Sequence, residues 1–256
     1  MPGRPTALAL GCAAACAVLA ACGGPSSAAR SGLGGEITVL AAASLTDAFT
    51  TLGTQFEQAH AGTTVTFSFG ASSALATQIG QGAPVDVFAS ASQKDMDAVI
   101  AAGAAASSTA FARNVMQIAV PKANPAKVTR LSDLARPGVK VALCQVEVPC
   151  GATTAKVFEN ARLTVEPVTE EADVKATLAK VRLGEVDAGV VYVTDVLAAG
   201  DDVTGIEIPA GVNASTVYPI AALSASRDAS LAQAFVDHVL SAAGAKVLTD
   251  AGFQQP

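Results

Sequence analysis

The sequence has few of the residues that catalyse reactions near neutral pH. It contains only two histidines, His60 and His238, and a serine nucleophile needs a histidine beside it. We interpret both as structural, because His60 falls at the end of a helical pattern and His238 beside the apolar stripe of the last one. Gly-x-Ser-x-Gly, P-loop and Gly-x-Gly-x-x-Gly motifs are absent. The sequence therefore argues against a hydrolase, a nucleotide-hydrolysing enzyme and a dinucleotide-dependent enzyme.

Charged residues are scarce and mostly acidic. They make up 15% of the chain, against about a quarter in a typical soluble domain. No Lys/Arg cluster is present to meet phosphates, which disfavours nucleic-acid binding. Without Arg4 the chain keeps 15 basic and 22 acidic residues, a net charge of −7. This balance is compatible with an anionic ligand, because backbone dipoles act locally while distant surface charges are screened.

The first 21 residues predict an export signal. One positive charge, Arg4, precedes an apolar run over 7–21, shorter than the roughly 20 residues of a bilayer-spanning helix. The run ends in Leu19-Ala20-Ala21-Cys22, which resembles a bacterial lipobox, whose cysteine is lipidated. An ordinary cleaved signal with an incidental cysteine is the alternative. Residues 22–35, rich in Gly, Ser and Ala, predict a flexible tether that holds a folded domain off a membrane.

Two cysteines remain for the folded part of the chain. Cys12 and Cys16 lie in the predicted signal and Cys22 is the lipidation candidate, which leaves Cys144 and Cys150. In the oxidising compartment that export implies, these two are candidates for a disulfide. Two buried free thiols are the alternative. Neither cysteine has the short spacing or the neighbouring histidine of a metal site, so no free metal cation is predicted.

Strand and helix patterns alternate from Glu36 onward. Strands are predicted at 37–40, 64–69, 85–89, 115–120, 139–143, 188–193 and 217–223, and helices at 44–60, 73–80, 93–102, 153–161, 173–183, 195–199 and 229–249. Buried strands separated by helices imply an α/β fold with mainly parallel sheets flanked by helices. Two groups of such elements predict two lobes with a ligand cleft between them. We assign 36–118 plus 216–256 to lobe 1 and 119–215 to lobe 2.

Four junctions before predicted helices are candidate binding positions, since ligands of open α/β sheets lie where strands end and helices begin. Helix starts offer free N–H groups and roughly half a positive charge each. A helix cap is the simpler interpretation of any single serine there, and Ser44 with Asp47 has the spacing of a capping box. The small residues beside Ser44 and Ser72 leave room for a ligand to approach the backbone. The junctions are 41–47, 70–75, 148–153 and 170–175.

Seven segments carry a family resemblance through their order and spacing. They are Ile37-Thr38-Val39-Leu40-Ala41-Ala42-Ala43-Ser44-Leu45-Thr46, Ser72-Ser73-Ala74-Leu75-Ala76-Thr77-Gln78-Ile79, Gly82-Ala83-Pro84-Val85-Asp86-Val87-Phe88-Ala89-Ser90-Ala91, Val148-Pro149-Cys150-Gly151, Asp173-Val174-Lys175, Gly189-Val190-Val191-Tyr192-Val193-Thr194-Asp195 and Tyr218-Pro219-Ile220-Ala221. Together they resemble the molybdate-binding proteins of bacterial ABC importers, which have the type II periplasmic-binding fold. The resemblance covers residues 37–253.

The resemblance implies five anion ligands. Ser44 and Ser72 would each give a hydroxyl and a backbone N–H, Cys150 and Val174 a backbone N–H, and Tyr192 its phenolic hydroxyl. A core tyrosine on a buried strand is the alternative for Tyr192. The chain departs from the family, which often has alanine at the position of Cys150. Because that ligand acts through its backbone, the side chain can change without loss of the contact.

The resemblance also implies a function. The chain is expected to be an extracytoplasmic, lipid-anchored, monomeric solute-binding protein that captures molybdate, and also tungstate, and delivers it to an ABC permease. It implies no enzymatic activity and no cofactor, with molybdenum bound only as the oxyanion. A receptor for sulfate or another tetrahedral oxyanion, a surface hydrolase using Ser44 or Ser72, and a non-catalytic adhesion lipoprotein are the alternatives.

Overall fold

Residues 33–256 are the part of the chain that the structure, a computed structural model, describes. The predicted signal peptide, the lipidation candidate Cys22 and residues 22–32 of the predicted tether lie outside the described residues. None of the helices within 33–256 is both long and apolar enough to cross a bilayer.

Strands and helices alternate through the described residues. The strands are β1 Gly35–Ala42, β2 Thr63–Gly70, β3 Val87–Ala89, β4 Thr109–Pro121, β5 Val141–Cys144, β6 Thr169–Glu171, β7 Ala188–Tyr192, β8 Val203–Glu207 and β9 Ser215–Ala222. The helices are α1 Thr46–Ala59, α2 Ser72–Gly80, α3 Gln93–Ala101, α4 Pro149–Ala161, α5 Val174–Arg182, α6 Val193–Ala199, α7 Ala229–Leu240 and α8 Ala242–Asp250, with 3₁₀ turns at Ala43–Leu45, Leu131–Ala135 and Gly200–Asp202.

The sheet is mixed, and its strands run in the order β2-β1-β3-β9-β4-β7-β5-β6, with β8 also paired to β4. The β1 strand is parallel to β2 and β3, and β5 is parallel to β6 and β7. The β3–β9, β4–β9, β4–β7 and β4–β8 pairs are antiparallel. The α/β fold is confirmed. The sequence predicted mainly parallel sheets and did not reveal these antiparallel pairs, because the apolar pattern of a buried strand is the same in either direction.

The long strand β4 joins the two lobes. Its Thr109–Val115 part pairs with β9, and its Met116–Pro121 part pairs with β7 and β8. Lobe 1 is built on β1, β2, β3 and β9, around a core that includes Phe49, Phe56 and Phe235. Lobe 2 is built on β5 to β8, around an aliphatic core. The boundaries 36–118, 119–215 and 216–256 given to the lobes above stay predictions.

The single helix predicted over 229–249 is wrong, because the chain breaks at Ser241. This residue is extended, with φ −68° and ψ 165°. Its hydroxyl accepts the Gly244 N–H at 3.1 Å and so caps α8. An N-cap serine satisfies one of the free N–H groups at a helix start, so it favours a new helix here. A continuous apolar stripe does not reveal such a break.

Candidate functional site

One cavity brings together all five residues predicted to bind an anion. It lies where β1, β2 and β7 end and where α2, α4 and α5 begin, and it encloses about 220 Å³ of empty space, including its mouth. Lobe 1 and lobe 2 both contribute to its wall. The lining residues are Ala42, Ala43, Ser44, Gly70, Ala71, Ser72, Ala91, Val148, Pro149, Cys150, Asp173, Val174 and Tyr192.

Ser44 is buried in the 3₁₀ turn between β1 and α1 and does not cap a helix. The N-cap of α1 is Leu45, which makes no side-chain capping hydrogen bond. The Ser44 Oγ lies 2.8 Å from the Tyr218 Oη instead. The capping-box interpretation of Ser44 and Asp47 is therefore wrong. The extra 3₁₀ turn moves the helix start beyond the serine, which sequence spacing alone does not show.

Ser72 is fully buried and stands at the first residue of α2, after the N-cap residue Ala71. Its Oγ accepts the backbone N–H of Ala91 at 2.9 Å. This bond ties the start of α2 to the segment that follows β3. Like Ser44, Ser72 uses its hydroxyl for a contact across the site and not for a helix cap.

Lobe 2 places two helix starts at the cavity. The α4 helix begins at Pro149, four residues before the predicted start at Thr153, so Cys150 lies in its first turn. Proline favours the first position of a helix, so Pro149 was a sequence signal for this earlier start. Val174 is the first residue of α5, and its neighbour Asp173 caps that helix by accepting the Ala176 N–H at 2.9 Å. The N–H groups of Cys150 and Val174 are among those without an acceptor inside their helices.

Tyr192 ends β7, and its side chain is buried against the cavity. Its hydroxyl has no hydrogen-bond partner among the described residues. Burial raises the pKa of this phenol well above its ordinary value, so the hydroxyl stays protonated and is a hydrogen-bond donor. A buried hydroxyl without a partner costs about 1–3 kcal/mol, and a ligand oxygen in the cavity would remove that cost.

The cavity offers hydrogen-bond donors without a cationic side chain. No Lys, Arg or His lies among its lining residues, and the one carboxylate, Asp173, caps α5 through its Oδ1. The positive potential comes from the starts of α2, α4 and α5. Three hydroxyls, those of Ser44, Ser72 and Tyr192, complete the set. This arrangement suits a small anion whose oxygens only accept hydrogen bonds.

Comparison with known proteins places the chain in a family. The sequence pattern of the bacterial extracellular solute-binding proteins matches residues 37–254. The chain belongs to this family. Its members bind solutes for transport, so the protein is a binding protein and not an enzyme. The hydrolase alternative also lacks a histidine beside the serines, since His60 and His238 pack on Phe56 at the far end of α1, with ring centroids 4.5 Å and 5.6 Å away.

Relatives within this family carry more specific names. The molybdate-binding protein ModA of Mycobacterium tuberculosis is 44% identical over 234 residues, 91% of this chain and 88% of the relative. The molybdate-binding protein ModA of Escherichia coli is 32% identical over 230 residues, 86% of this chain and 89% of the relative. A solved structure, the periplasmic molybdate-binding protein of Azotobacter vinelandii, has a TM-score of 0.77 at 20% identity, covering 86% of this chain and 99% of its own. That likeness shows a shared fold.

A chain of charged groups beside the cavity links the two lobes. The Lys175 Nζ lies 2.8 Å from the Asp47 Oδ2 in lobe 1 and 3.6 Å from the Asp195 Oδ1 in lobe 2. The Asp195 Oδ2 accepts the backbone N–H of Tyr192 at 3.1 Å. Burial raises the pKa of Asp195 to about 6, against the opposing effect of the Lys175 ammonium. This network was not predicted from the sequence, although Asp195, three residues after the apolar strand β7, was a signal.

A disulfide closes the loop before α4. In the structure Cys144, at the end of β5, is bonded to Cys150. A side chain at Gly151 would place its Cβ 1.9 Å from the Gln145 backbone oxygen, so this position requires glycine. The loop and the start of α4 are thus packed against each other, which fixes the direction of the first N–H groups of the helix.

Proposed function

We propose that the protein captures molybdate outside the cytoplasmic membrane and delivers it to an ABC importer. The observation that carries this proposal is the cavity, where three hydroxyls and three helix starts meet without a cationic side chain among the lining residues. The names of the relatives from Mycobacterium tuberculosis and Escherichia coli support molybdate as the ligand. Ser44, Ser72, Cys150, Val174 and Tyr192 are the proposed ligands.

The protonation state of the anion is the first basis of selection. Molybdate, tungstate and sulfate are fully deprotonated dianions near neutral pH, whereas hydrogen phosphate keeps one proton. A cavity lined by donors leaves that proton without an acceptor, which costs about 1–3 kcal/mol. Sulfate meets the same donors but is smaller, so it does not reach all of them at hydrogen-bond length. Tungstate has nearly the size of molybdate and is proposed to bind as well.

Closure of the cleft is the second part of the proposal. The ligands come from both lobes, so an anion bound to all of them favours the closed arrangement over an open one. The contact between Lys175 and Asp47 supports this, because it spans the same cleft. A closed protein presents one surface to the permease, and lipidation at Cys22 would keep the monomeric protein near it. No chemical step is involved.

Thermal melting with separate anions tests this function. We expect molybdate and tungstate to raise the melting temperature of the purified protein, and sulfate and phosphate to leave it unchanged at the same concentration. A ligand at 1,000 times its dissociation constant adds about 4 kcal/mol to the free energy of unfolding. A rise in melting temperature with sulfate alone would mean that the ligand is sulfate and not molybdate. No rise with any of the four anions would contradict the proposal of an oxyanion receptor.

A further inference from the structure

The direction of the serine hydroxyls decides what the cavity accepts. A serine hydroxyl is both a donor and an acceptor, so it can bind a deprotonated anion oxygen or the proton of a protonated one. A cavity containing free serine hydroxyls would therefore tolerate hydrogen phosphate. Selection for deprotonated anions requires that something behind each serine holds its oxygen as an acceptor and directs its proton into the cavity.

At Ser72 the backbone performs this task. The Ala91 N–H donates to the Ser72 Oγ at 2.9 Å. A backbone N–H is always a donor, so the direction of this bond is fixed. The serine oxygen is thereby engaged from behind, and its own proton is left for the cavity.

At Ser44 the equivalent donor is a tyrosine. The Tyr218 Oη lies 2.8 Å from the Ser44 Oγ, and Tyr218 is fully buried on β9. By this distance alone, either of the two oxygens could be the donor. Burial raises the pKa of Tyr218, so the phenol carries its proton at neutral pH. When an oxyanion beside Ser44 accepts the Ser44 proton, the Ser44 Oγ is left to accept a hydrogen bond from Tyr218. In the liganded protein the bond therefore runs from Tyr218 to Ser44.

We propose that Tyr218 is a positioning residue that acts through Ser44 and restricts the cavity to oxygens without protons. Tyr218 is not one of the five lining ligands, since it stands behind Ser44 on β9. The Ala91 N–H plays the matching part behind Ser72, so both serines face the cavity as donors. This inference rests on the proposed function, because it assumes an oxyanion beside Ser44.

A double-mutant cycle measured by titration calorimetry tests the proposal. Tyr218→Phe keeps the ring and removes the hydroxyl. We expect it to weaken molybdate binding by up to about tenfold, the size of one ordinary hydrogen bond between neutral groups. In a Ser44→Ala background, the same change should alter the affinity by less than about twofold, because the group through which it acts is gone.

The Ser72→Ala background is the matched control. Within the described residues no hydrogen bond joins Tyr218 to Ser72, whose Oγ accepts from Ala91 instead. Tyr218→Phe should therefore weaken binding by the same factor in this background. The ratio of molybdate to phosphate affinity is a second readout. It should fall in Tyr218→Phe, since a freed Ser44 oxygen accepts the phosphate proton. A general loss of order in the site would weaken the binding of molybdate and of phosphate by the same factor.

The possible outcomes distinguish the role of Tyr218 from the function of the protein as an oxyanion receptor. An equal loss in the wild-type and Ser44→Ala backgrounds, or no loss in either, would overturn the role of Tyr218 while leaving the oxyanion receptor in place. Failure of the wild-type protein to bind molybdate would overturn both. The melting temperature of each unliganded variant shows whether it is folded, and Ser44→Ala, Tyr218→Phe and their combination are compared only as folded proteins.

Discussion

At the scale of single residues, the site keeps polar groups in arrangements that favour a ligand over the stability of the empty protein. The Tyr192 hydroxyl is the clearest case, because it is buried and has no partner among the described residues. Such a group lowers the stability of the unliganded protein. Function and stability therefore make opposite demands on this side chain, as they often do at binding sites.

Replacing Tyr192 by phenylalanine should change stability and molybdate affinity in different ways. We expect Tyr192→Phe to leave the free energy of unfolding of the empty protein unchanged or to raise it by about 1 kcal/mol, because it removes an unpaired hydroxyl. Molybdate affinity should fall at least tenfold. Urea unfolding and calorimetric titration measure the two effects. A variant that is clearly less stable, or that binds as tightly as the wild type, would contradict the assigned role.

Residue roles were only partly predictable from the sequence. Ser44 and Ser72 stood out because small residues surround them, but spacing predicted caps, and the structure shows long-range contacts to Tyr218 and Ala91. These partners are 174 and 19 residues away in sequence. Local patterns report the backbone within a few residues, so a bond between distant segments has no sequence signal.

At the scale of elements, the start of α4 is the feature most sensitive to change. Pro149 begins the helix, Cys150 is bonded to Cys144, and Gly151 packs against the loop backbone. These three consecutive residues define where the helix start points. A shift of this turn would move the Cys150 N–H that is proposed to meet the anion.

Gly151→Ala tests that sensitivity. The added Cβ would lie 1.9 Å from the Gln145 oxygen, so the backbone must move. We expect a loss of about 1–3 kcal/mol or more in the free energy of unfolding, together with weaker molybdate binding. Gly211→Ala is the matched control, since a Cβ there meets nothing within 4 Å. Equal stabilities of the two variants in urea unfolding would contradict this account of the loop.

Element types were predictable where apolar periodicity was strong, and boundaries were less so. The helices α2, α3 and α5 and the strands β1, β2 and β7 follow the predicted patterns. The strands β6 and β8 were missed because a short strand with exposed positions has no clear alternation. The break between α7 and α8 depends on the hydroxyl of Ser241 and not on hydrophobicity.

At the scale of the whole molecule, the charged network of Asp47, Lys175 and Asp195 connects the two lobes behind the site. Asp47 is largely exposed, with 63% of its side chain accessible, while the Asp195 side chain is fully buried. An exposed pair such as Lys175 and Asp47 contributes little to stability. The effect of the network on stability therefore comes mainly from the buried Asp195 carboxyl. Its pKa of about 6 brings its titration into an accessible pH range.

The titration of Asp195 should make stability depend on pH. Its pKa rises from 3.8 to about 6 on folding, so the folded protein binds this proton more tightly than the unfolded chain. The contribution of this group is therefore fully present below about pH 4 and is lost as the pH rises through about 6. Asp195→Asn cannot titrate. The stability of the wild type minus that of the variant should fall between about pH 4 and 7, and a flat or rising difference would contradict the assignment.

The proposed function requires that a cavity of uncharged donors binds molybdate through groups from both lobes. Calorimetric titration of molybdate into the wild-type protein and into Ser44→Ala/Ser72→Ala tests it most directly, with urea unfolding to show that the double variant is folded. We predict one molybdate per wild-type chain and no detectable binding to the folded double variant. Tight binding retained by that variant would contradict the claim.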